Sequence, residues 1–246
     1  MVKPMTTYFE ILIELVSSNR VQYLVYTGLS VPVFGFAVIV YLSDRLVYQR
    51  FLGKVNPLIA FLVVILLGLM LLSILLYKNW FFIYGPQNSK GILVAAGLAS
   101  VFGVIIILVD TKAVFPPTMN VLFPESVLFY PAIAFFAEIL FHVLPVTVLL
   151  VFLTAIFKQA DQQLMIWISI LLVALLEPVY QASNMASSNQ YLTWVVVYTG
   201  VHIFLINLCQ LLIFKRYDFV SMYTFRLVYY MFWHIGWGYL RLRLLF

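Results

Sequence analysis

All three histidines of this 246-residue chain stand inside apolar runs of its second half, together with two glutamates and one arginine. The pair that anchors them is Glu138 and His142, near the middle of SVLFYPAIAFFAEILFHVLPVTVLLVFLTAIF, residues 126–157. Residues four apart share a helix face, so this carboxyl and imidazole point the same way. Further on come Glu177 followed by Pro178, His202 with Asn207 and Gln210, and then Arg226, Tyr229, Tyr230 and His234. Glu and His act as general base and acid, and both are zinc ligands, so the set is equipped to hold water or a metal. The plainer alternative is a buried Glu138–Arg226 ion pair that neutralises itself, with His142 and His202 as hydrogen-bonding neighbours.

Several chemistries are absent. There is no H-E-x-x-H, no G-x-S-x-G and no Gly-rich phosphate loop. Cys209 is the single cysteine and sits in an apolar run, where it packs. Tyr217-Asp218 lacks a second matching aspartate for an intramembrane aspartyl site. A guanidinium at the level of Glu138 repels a cation and competes for the carboxylate, so neither a tightly bound metal nor a cofactor is expected.

The elements that must position these residues are membrane helices. Of the chain, 65% is hydrophobic and only 9% charged, against about 25% charged in a soluble domain. Spans are expected at about 22–42, 57–77, 91–109, 126–157, 164–183, 191–214 and 219–240, seven in all, in a polytopic all-α bundle. Pro131 and Pro145 are expected to kink the fourth. Phe9, Leu12, Ile13 and Val16 recur at i, i+3, i+4 and i+7, which predicts an interfacial amphipathic helix over 7–17. The organisation is therefore an N-terminal interfacial segment, 1–20, a three-span scaffold, 21–125, and a four-span core, 126–246. The net charge of +5 lies mostly between helices and speaks for the bilayer as partner, not nucleic acid. Lys and Arg divide almost evenly between the two sides, so they do not orient the chain. Counting about 1.5 Å per residue places Glu138, His202 and Arg226 roughly 17–21 Å deep, with His142 slightly deeper, and Glu177 and His234 in a shallower layer at about 10 Å.

Three segments resemble the CPBP family of intramembrane proteases (CAAX-processing and bacteriocin-processing enzymes). AEILFH at 137–142 is similar to its E-E-x-x-x-R motif, VALLE at 173–177 to its F-x-x-x-H run, and KRYDFVSMYTFRLVYY at 215–230 to the stretch ending in H-x-x-x-N or D. In that register the family's first Glu is Ala137, its second is Glu138 and its Arg is His142. The second-motif His is Glu177, and the third-motif His and Asn are Arg226 and Tyr230. Of the replacements, His142, Glu177 and Arg226 remain costly polar residues, which implies a recast site or a rebuilt buried network. The resemblance implies a CPBP-like core in a prokaryotic cytoplasmic membrane and a peptidase-like hydrolase acting on a membrane-proximal peptide or lipid-linked substrate. Glu138 or Glu177 would then activate water, His142, His202 or His234 would serve as proton partners, and Arg226 would hold a carboxylate or stabilise an oxyanion. Two other readings stand beside it: an inert CPBP-like subunit that binds another integral membrane protein, and a proton or ion carrier.

Overall fold

The computed structural model describes residues 5–187 and 191–246, except the side chains of residues 5–9, 11, 12 and 45. The described residues form α1 (Met5–Ser18), α2 (Arg20–Ser43), α3 (Arg45–Leu52), α4 (Pro57–Tyr77) and α5 (Asn88–Ala113). They continue with α6 (Ser126–Ile156), α7 (Gln162–Ser187), α8 (Thr193–Arg216) and α9, a continuous helical run over 219–244. Among these, α2, α4, α5, α6, α7 and α8 are long and apolar enough to cross a membrane. The protein is an all-α polytopic membrane bundle with six such helices. The segment expected as a seventh span is helical in α9, but with Arg226, His234, Arg241 and Arg243 along it, it is not among the helices apolar enough to cross.

Local chemistry sets the helix boundaries. Asn56 accepts from the Leu58 and Ile59 amides, and Pro57, which has no N–H to satisfy, opens α4. Asp44, Asp161 and Asp218 cap α3, α7 and α9 in the same way. The polar run after α2, expected as a loop, contains α3, which buries Tyr48 among Phe61 and Phe129. Helix α1 covers the expected amphipathic segment, with Ile13 and Val16 exposed for the interface, while the side chains of Phe9 and Leu12 are outside those described.

One apolar cluster runs through the bundle and joins the first half of the chain to the second. Helix α2 packs on α4 and α6, α7 on α6 and α8, and α9 on α5, α6 and α8. Small residues let α5 and α9 run parallel at close range. A Cβ on Gly91 would collide with Ser221 Oγ, and one on Gly103 would lie 2.6 Å from Phe232 Cβ. Gly91, Ala95, Ala99 and Gly103 recur every fourth residue and are all buried along this contact.

Both ends of the α5–α9 pair are fastened by a buried aspartate. At one end Asp218 accepts from the Gly85 amide at 2.9 Å, the Ser221 amide at 2.7 Å and the Asn88 side chain. At the other, Asp110 receives Arg241 Nε at 2.6 Å and Nη2 at 2.9 Å, Trp237 Nε1 at 2.6 Å and the Phe115 amide at 2.8 Å. Arg241 turns its remaining donors to the Pro116 and Phe115 carbonyls. Asp110, expected to begin a loop, thus belongs to α5 and is fully buried, and Asp218 is likewise buried at the N-cap of α9. The ion pair joins the first half of the chain to the second, its partners 131 residues apart.

Candidate functional site

Backbone irregularities present the central side chains. Pro145 has no N–H to offer the carbonyl four residues before it, and α6 widens into a π-turn over Glu138–Val143, with the Leu144 amide reaching back to Ile139 O. Glu138 and His142 stand at the two ends of this turn. In α7, Pro178 cannot donate to Ala174, and the helix tightens at Leu175, whose amide bonds Leu172 at 3.3 Å. Glu177 follows this break. A second π-turn, Met231–Trp237, carries His234 in α9.

Four helices meet on Arg226. Its Nε donates to Glu138 Oε1 at 2.6 Å. Its two terminal nitrogens fork onto Glu177, Nη1 to Oε1 at 3.3 Å and Nη2 to Oε2 at 3.1 Å. Nη1 also reaches Tyr230 Oη at 3.3 Å, one helical turn on, and Nη2 reaches Gln210 Oε1 at 3.3 Å. The Gln210 amide donates back to Glu138 Oε1. The other Glu138 oxygen, Oε2, lies 2.6 Å from His142 Nδ1, and Gln181 Nε2 donates to Glu177 Oε1 at 2.9 Å. Glu138, His142 and Gln210 are wholly buried, and Glu177 and Arg226 nearly so. Two carboxylates thus share one guanidinium. His142 Nε2 has no partner.

The two remaining histidines are hydrogen-bonded outside this network, although His234 meets the Tyr230 ring edge-on. His202 lies between two phenols, its Nδ1 3.2 Å from Tyr198 Oη and its Nε2 3.2 Å from Tyr229 Oη. His234 stacks on Tyr130 with ring centroids 4.5 Å apart and holds Asn120 Oδ1 through Nδ1 at 2.7 Å. The two polar layers expected from sequence are therefore rearranged. Glu177 belongs with Arg226 and Glu138 rather than with His234, because the Pro178 break precedes a fork onto Arg226 that ties its depth to the guanidinium. His202, expected beside Glu138, pairs with tyrosines instead.

A partly open cavity of about 200 Å³ adjoins the network. Glu177, Arg226, His202, His234, Asn207, Tyr229 and Tyr230 reach its wall, and Ile206 and Trp233 give it an apolar side. Glu138 and His142 do not line it. Glu177 is thus the carboxylate of the network that meets open volume, and Arg226 and Gln181 already hold it in place. Among the described residues no three His, Cys, Asp or Glu side chains are placed to hold one metal ion.

Gln210, Gln181 and Tyr230 complete the network although their types alone did not mark them as site residues. The signals available in the sequence were the i, i+4 spacings Glu177–Gln181 and Arg226–Tyr230, and a glutamine within an apolar span. Glu138, His142, Glu177, Arg226 and Tyr230 all fall within this one network. No protein-family model, no curated protein and no solved structure matches the chain.

Proposed function

We propose that the chain is a non-hydrolytic, CPBP-like binding protein of a prokaryotic cytoplasmic membrane. Its former catalytic positions are rebuilt as an ion-pair network that braces four helices beside a ligand cavity. The observation that carries this reading is the commitment of Arg226 to both carboxylates. Glu138 commits Oε1 to Arg226 and Gln210 and Oε2 to His142, with no face toward the cavity. A general base must reach the water it deprotonates within about 2.6–3.2 Å, and Glu138 is wholly buried and does not line the cavity. The position that the resemblance gives to a water-activating carboxylate holds Ala137. The integral membrane partner of an inert subunit, rather than a cleaved substrate, is the macromolecule this reading implies.

A hydrolytic reading is favoured by one feature, the contact of Glu177 with the cavity. The two are separated with purified protein in lipid nanodiscs, incubated with membrane-proximal peptides and lipid-linked peptides and followed by mass spectrometry. The expected result is no cleavage above the empty-nanodisc control. Cleavage that disappears in Glu177→Gln, with the variant's thermal unfolding intact, would overturn the binding reading in favour of a Glu177-based hydrolase.

A further inference from the structure

The wall of the cavity contributed by α8 carries polar atoms that nothing in the protein satisfies. Thr199, His202, Ile203, Ile206 and Asn207 all line it, with the i, i+3, i+4, i+7, i+8 spacing of a single helix face. Asn207 is only 1% exposed, and neither its amide nitrogen nor its amide oxygen has a hydrogen-bond partner. It lies within reach of the Glu177 carboxylate without closing a hydrogen bond to it. Thr199 Oγ1 is likewise without a partner. Buried amides left open on both atoms are rare in folded proteins and mark a place where something else supplies the hydrogen bonds.

We propose that this cavity binds a small neutral molecule bearing an amide, lactam or urea group, which pairs with Asn207 while its apolar body rests on Ile206 and Trp233. An Asn side chain offers a donor and an acceptor side by side, and an amide edge answers both at once. Charge selects against ionic ligands. Glu177 and Arg226 in the same wall are forked onto each other, so neither is free to compensate an anion or a cation that has left its water. The forked pair presents no net charge of its own. Size sets the upper limit: a dry cavity of about 150 Å³ holds a benzene ring, so about 200 Å³ admits one ring with an amide attached.

This inference rests on the binding reading above, and its test is separable from the hydrolysis assay. Benzamide, sodium benzoate and benzylamine are titrated in turn against the full chain in nanodiscs, with saturation-transfer NMR as the readout. Saturable binding of benzamide, with at least tenfold weaker binding of the other two, is the expected result. Asn207→Leu should weaken benzamide at least tenfold, and Ile206→Trp, which fills the cavity from its apolar side, should do the same without touching Asn207. Equal binding of all three probes, preference for benzylamine, or no benzamide binding would overturn the proposal, the last by showing that water alone satisfies Asn207. Absence of binding without peptide cleavage would remove this ligand class and leave the non-hydrolytic reading standing. Cleavage with benzamide bound would do the reverse.

Discussion

Replacing Arg226 by methionine gives the most direct measure of the central network. The change keeps much of the side-chain volume but leaves Glu138 and Glu177 buried with no cation between them. Removing one partner of a buried ion pair costs about 3–5 kcal/mol, because the desolvated charge left behind has no compensation. Proteins of 150–250 residues lose about 2–4 °C in Tm per kcal/mol, so a fall of roughly 6–20 °C is expected. The assay is thermal unfolding in nanodiscs, read by intrinsic fluorescence and by loss of monodispersity. The same reasoning predicts that the triple variant Glu138→Gln, Glu177→Gln, Arg226→Met recovers most of the loss, since a neutral core of similar volume is about as stable as a buried ion pair. An Arg226→Met protein melting within about 2 °C of the parent would refute the argument. So would a triple variant no more stable than the single one.

Other outcomes follow from the flanking structure. Asp218→Ala should cost about 3–4 kcal/mol, because it removes a helix cap and also strands the Gly85 amide and Asn88 side chain. Asp161→Ala, at an exposed cap that serves only the Gln163 amide, should cost about 1 kcal/mol, and equal losses in denaturant titrations would contradict this difference in burial. Asp110→Leu and Arg241→Met should each destabilise by about 3–5 kcal/mol, while the double variant loses less than the sum, which a double-mutant cycle reads directly. Gly91→Val should separate α5 from α9, since even a Cβ there collides with Ser221 Oγ; faster proteolysis near residues 85–91 is the expected sign, and wild-type resistance would count against so tight a contact.

The sequence makes some of this legible and hides the rest for physical reasons. Ionisable residues deep in apolar runs are so costly that Glu138 and Arg226 are natural partners on residue type and depth alone, and they lie 2.6 Å apart. Depth counting fails for Glu177 because it assumes an unbroken helix, whereas the turn at Leu175, before Pro178, interrupts α7. The burial of Asp110 and Asp218 is hidden for another reason. Near a helix end a charge ordinarily reaches water, and nothing local signals that the loops fold back to bury it. His202 and His234 are read as site residues from type alone; Tyr198 and Tyr230, four residues before them, are legible in the spacing, but Tyr229 beside His202 and Tyr130 stacked on His234 become visible only when separate helices are brought together. Six helices meet the length and apolarity of a span instead of seven because α9 carries the cations that the other elements need.

The two π-turns have a bearing on how the sequence can vary. Each accommodates one residue more than regular α-helical winding would, and every residue in an α-helix turns the chain by about 100°. Deleting one residue within Met231–Trp237 and restoring plain winding would therefore leave the last turns of α9 in phase, with Arg241 still facing Asp110. Rewinding the same turn with all its residues kept would instead swing Arg241 about the axis by about 100° while Arg226 stays in place. The same rewinding of Glu138–Val143 would turn Glu138 and His142 relative to the outer half of α6. Point substitutions can alter the network one contact at a time, but residue number and winding in these two turns can change only together. A one-residue deletion is therefore accommodated inside the two turns and not along the regular winding on either side of them.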